Sequence, residues 1–98
     1  FENLRFFRGQ TLKASGLNSI NEYIARLAER YQVPIDPVSS FTDGQVLRAQ
    51  PLNTLRNNIT RICFQHGSTL QWSFPPFKDG DVLQAEHLNE LVEKLRAN

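Results

Sequence analysis

Few residues in this 98-residue chain are of a type that does chemistry, and each set can be tested by its spacing. The Asp-Gly pairs at 43–44 and 79–80, each followed by a helical pattern, have the outline of a calcium loop. Such a loop needs oxygen donors at its first, third, fifth and twelfth positions around a glycine at the sixth. With Gly80 at the sixth, those places fall on Pro75, Phe77, Asp79 and Glu86, and proline and phenylalanine carry no side-chain oxygen. With Gly44 they fall on Ser39, Phe41, Asp43 and Gln50, and with Gly9 on Leu4, Phe6, Arg8 and Ser15. No calcium site is expected.

His66 and His87 have no partner at metal-ligand spacing, and the single cysteine, Cys63, can neither complete a tetrahedral site nor form an internal disulfide. Its apolar flank, Ile62 and Phe64, marks it as a small core residue. No serine or cysteine has a recognisable base, and no glycine run matches a phosphate loop. The reading is therefore of no catalytic, metal or cofactor residues and of a protein that is not an enzyme. Arg48, Arg56 and Arg61 with Asn53, Asn57 and Asn58 could read bases from one helix. Eleven basic against ten acidic residues leave a net charge of +1, however, so no global field draws the chain to nucleic acid or an anionic membrane. No apolar run approaches the roughly 20 residues of a membrane span.

The most informative pattern is a repeat. Phe7-Arg8-Gly9 through Leu17-Asn18 returns as Phe41 through Leu52-Asn53, and again as Phe77 through Leu88-Asn89. Phe7, Phe41 and Phe77 are 34 and 36 residues apart, so the period fills the chain and is its architecture. One domain over 1–98 is expected, with units at about 6–40, 41–76 and 77–98. The chain begins at Phe1 and has no methionine, which is read as a piece of a longer protein.

Leu17, Ile20, Ile24 and Leu27 match Leu52, Leu55, Ile59 and Ile62, and Leu88, Leu91 and Leu95 follow the same steps of three and four. Each set lies on one helix face. Ala14, Ala49 and Ala85 suit a first turn, as does Pro51, whose missing N–H has no intrahelical partner there. The helices are predicted at 14–30, 49–64 and 85–96. Upstream, Gly9, Gly44 and Gly80 supply the positive φ of a tight turn. Thr11-Leu12, Val46-Leu47 and Val82-Leu83 then read as a short extended entry to each helix. The connections, with Pro34, Pro37, Pro75 and Pro76, are not helical; the alternation of Leu70, Trp72 and Phe74 resembles a short strand or extended arm. The fold expected is mainly α: three tandem glycine-turn-plus-helix repeats with irregular extended connections.

Asn18, Asn53 and Asn89 each follow the first core leucine, where asparagine has no propensity advantage. Each is expected to bond the backbone of the glycine turn that precedes it.

The element, Phe-x-(Asp)-Gly-x-Val/Leu-Leu-x-Ala-x-x-Leu-Asn, resembles one found in bacteriophage virion proteins, in the attachment regions of tail fibres, tailspikes and adaptor proteins. Gly44, Val46, Leu47, Ala49, Leu52 and Asn53 match, as do Gly80, Val82, Leu83, Ala85, Leu88 and Asn89. The first copy departs most, with Arg8 for the aspartate and Gly16 inside the helix start. Lys13, Arg48 and Gln84 stand where the family often has threonine, so the N-cap hydroxyl is missing.

The resemblance implies a non-enzymatic virion component, assembled in the host cytoplasm, that attaches fibre, tailspike or adaptor components to the particle. Its partners would be other virion proteins in an oligomeric assembly. The alternatives are a cellular protein–protein interaction module of helical repeats and, behind it, a small DNA-binding regulator. Aromatic residues outside the helices, Phe1, Phe6, Trp72 and Phe74, are the expected partner interface.

Overall fold

The computed structural model describes residues 4–7, 9, 13–45, 48–65, 67, 71–80 and 83–97. Three helices form where the apolar steps place them: α1 (Ala14–Tyr31), α2 (Ala49–Gln65) and α3 (Ala85–Arg96). Every leucine and isoleucine picked out by that spacing is buried, and each helix packs on both of the others. Ala28, Cys63 and Val92 widen the helical stripes, and Val33, Phe41, Phe74 and Phe77 close the core from the connections. The chain is mainly α. A radius of gyration of 12.8 Å is that of a single compact body of this length.

The three helices run in one direction. The first residue of α1, Ala14, bonds Asp43, which lies just ahead of α2; the first residue of α2, Ala49, bonds Asp79, just ahead of α3. At the other end, the Cys63 thiol of α2 lies 4.0 Å from the Lys94 carbonyl of α3. A parallel arrangement obliges each connection to travel back along the bundle. The 18 residues of α1 span about 27 Å, and a stretch of about ten extended residues can cover that distance. This is why the connections are proline-rich and extended.

Such a segment has no ladder or helix to take its backbone polar groups, so side chains take them. Asn58, fully buried on α2, accepts from the Asp36 N–H (3.0 Å) and donates to the Asp36 carbonyl (2.9 Å). Asn21 of α1 donates to the Val38 carbonyl (3.1 Å). α1 itself ends on Gln32 at φ 54°, with the Val33 N–H donating back to the Ala28 carbonyl (2.9 Å) and Val33 tucked into the core.

No strand forms among the described residues. Leu70 lies outside them, and Trp72 and Phe74 sit in an irregular arm ahead of Pro75 and Pro76. The arm has no strand beside it: the Ser73 N–H donates to the Glu90 carboxylate of α3 (3.0 Å) instead. Of the predicted extended entries, Leu83 packs partly buried against the core, and Leu12 and Leu47 lie outside the described residues.

The repeat begins one residue earlier than the Phe7 alignment places it. Phe6, three residues before Gly9, takes the place of Phe41 and Phe77, three residues before Gly44 and Gly80, whereas Phe7 is 55% exposed. On Phe6 the phenylalanines are spaced 35 and 36, the spacing shared by the glycines, first-turn alanines, leucines and asparagines.

Candidate functional site: the clasps between units

An asparagine side chain carries one carbonyl and one NH2 group, so it can hold both the N–H and the C=O of a single residue. All three repeated asparagines do so. Asn18 accepts from the Phe41 N–H (2.8 Å) and donates to the Phe41 carbonyl (3.0 Å). Asn53 holds Phe77 in the same way (2.8 and 2.9 Å). Asn89 holds Phe6 (2.8 and 2.9 Å).

The target is thus the turn of the following unit, not the turn preceding the asparagine's own helix. The reason is geometric: in a parallel bundle the incoming turn of the next unit passes beside the first helical turns of the previous one. The third clasp returns to the first unit, so the ties form a closed cycle. Arg96 adds a bond from its guanidinium to the Leu4 carbonyl (3.0 Å) beside that closure.

The same crossing supplies the helix caps. Neither Lys13 nor Gln84, at the N-cap positions of α1 and α3, makes a side-chain capping bond. The Ala14 N–H donates to Asp43 Oδ1 (2.7 Å) and the Ala49 N–H to Asp79 Oδ1 (2.8 Å), a carboxylate at each positive helix end delivered by the next unit. These two aspartates, which the calcium reading treated as metal donors, are helix caps. Gly9, Gly44 and Gly80 hold φ of +79°, +82° and +89°, which turns the chain from the clasped phenylalanine toward the helix.

Gly16 also finds its reason. A Cβ there would stand 2.9 Å from Cε1 of Phe6, so only glycine lets that ring lie on the first turn of α1. The equivalent places on α2 and α3 are Pro51 and His87, and the His87 ring lies 6.2 Å from Phe77, edge on.

The proposed interface aromatics are largely used inside the chain. Phe74 is only 5% exposed, stacked on His87 at 4.3 Å and tilted against Phe77 at 5.3 Å. Trp72 is half-buried, with its indole N–H donating to Thr60 Oγ1 (3.0 Å) and its ring edge on to Phe74. Arg56 of α2 lies over both rings, 5.2 Å from Trp72 and 4.8 Å from Phe74. Desolvation in that setting lowers the Arg56 pKa, against the raising pull of Glu90. Phe6 is half-buried in its clasp, and Phe1 lies outside the described residues. The arm is held against its own helices, by Thr60 and Arg56 of α2 and by His87 and Glu90 of α3. Among the described residues, the large apolar side chains most exposed are instead Phe7 and Phe64, the latter 79% exposed beside Val33 and Pro34.

The helix-face constellation weighed for DNA is dispersed. Asn53 and Asn58 are clasps, Arg56 is stacked, and Arg61 pairs with Asp36 (3.3 Å). Cys63 is buried, as its apolar flank predicts. Among the described residues no three histidine, cysteine or acidic side chains stand together as a metal site; His66 lies outside them. Among the described residues no helix is long and apolar enough to cross a membrane.

The signal for the clasps was in the sequence as three coincident asparagines, but Asn58 had none, since no other unit repeats it. Compared with protein-family models, with curated proteins and with solved structures, the chain matches none.

Proposed function

We propose that the chain is a non-enzymatic structural protein of a bacteriophage virion, attaching or connecting tail fibre, tailspike or adaptor components to the particle. One observation supports this above the others. The motif positions that carry the resemblance include the residues that tie one unit to the next: the turn glycines, the leucines at 17, 52 and 88, and the asparagines at 18, 53 and 89. A motif whose work is to lock one turn onto a neighbouring helix suits a connector, in which rigidity and joining matter and a reaction centre does not.

On this reading the protein is assembled in the host cytoplasm and resides in the virion. A cellular protein–protein interaction module is the second reading, favoured by the exposed Phe64 beside Val33 and Pro34, an apolar surface open to a partner. Gradient-purified phage particles decide between them. A virion protein travels with intact particles at fixed stoichiometry through high-salt washing; a chain found only in the host lysate would remove the virion reading and leave the cellular one.

A further inference from the structure

We draw no further inference here: the strongest candidate, the apolar hollow at the C-terminal end of α2 lined by Val33, Pro34 and the exposed Phe64, is an unpartnered surface, and nothing in the structure shows what covers it.

Discussion

Asn89 and Phe6, 83 residues apart, make the same pair of hydrogen bonds that Asn18 makes to Phe41 over 23 residues and Asn53 to Phe77 over 24. Two clasps link consecutive units and the third joins the last to the first, so none of the three helices is left at an open end. A stacked solenoid of repeats leaves end units that need caps; this chain has none to cap.

The clasps should therefore matter more than solvent-accessible asparagines usually do. Replacing Asn18 or Asn53 by alanine removes two bonds and strands a partly buried N–H and carbonyl, a loss of about 1–3 kcal/mol. Aspartate at the same place keeps the acceptor but sets a carboxylate against the phenylalanine carbonyl, and should be no better than alanine. Urea denaturation of the four variants measures this. An Asn53→Ala protein with an unchanged midpoint would show that the clasp follows the fold without stabilising it. Asn89→Ala should in addition release amide-exchange protection at Phe6.

At Gly44 and Gly80 the strain is in the backbone alone, because nothing lies within 4 Å of an added Cβ. Alanine at φ of +82° or +89° should cost about 1 kcal/mol and valine distinctly more, since β-branching crowds the left-handed region further. Thermal melts of Gly44→Ala and Gly44→Val give the ranking. Equal and negligible shifts would mean that the turn relaxes.

What the sequence disclosed was whatever repeats. The steps of three and four placed all three helices within one residue of their ends, and three coincident asparagines announced a tie. The direction of that tie was hidden, because a local motif does not say whether it closes on its own unit or on the next until the helices are known to be parallel. Phe6 and Phe7 are adjacent and chemically identical, so only the clasp tells them apart. Asn58 holds Asp36 as firmly as any repeated asparagine, yet with no counterpart in the other units it could not be distinguished from a base-reading residue. Trp72 and Phe74 looked surplus to a small core because their partners, Thr60 and Arg56 on α2 and His87 on α3, come together only in the folded chain.

Truncating Trp72 should consequently weaken the monomer itself. Trp72→Ala loses a half-buried ring, its edge contact with Phe74 and the Arg56 guanidinium above it, and should cost about 2–3 kcal/mol, at or below the lower end for a core aromatic. Trp72→Phe keeps the ring but leaves Thr60 Oγ1 without its indole donor, at about 1 kcal/mol. If both variants melt like the parent chain, the arm is free to serve a partner.

Glu90 gives the fold an acid-sensitive contact. Burial pushes its pKa up, but the Ser73 hydroxyl and N–H, with Lys94 and His87 nearby, outweigh that and leave it lowered. A carboxyl held below its unfolded value adds stability that is present above the unfolded pKa of about 4.3 and disappears as pH falls through the folded one. The difference in melting temperature between the parent and Glu90→Gln should thus be widest at neutral pH and narrow below about pH 4. A difference that stays constant from pH 7 to pH 3 would exclude this carboxylate as the source.

Gly16 sets two effects of opposite sign against each other. In an exposed helix, glycine to alanine gains about 1 kcal/mol by limiting the unfolded chain. Here the new Cβ would meet Phe6 at 2.9 Å, closer than real contacts allow, and at 3.1 Å, so the ring must move. A ring on a loose terminus could swing away at little cost. The Phe6 backbone is held at both its N–H and its carbonyl by Asn89, so displacing the ring strains the closing clasp. Gly16→Ala is therefore expected to lower the melting temperature in the parent chain, while in an Asn89→Ala background, where the ring can retreat, the same substitution should become neutral or stabilising. Stabilisation of about 1 kcal/mol in the parent would show that the clasp does not hold Phe6 in place.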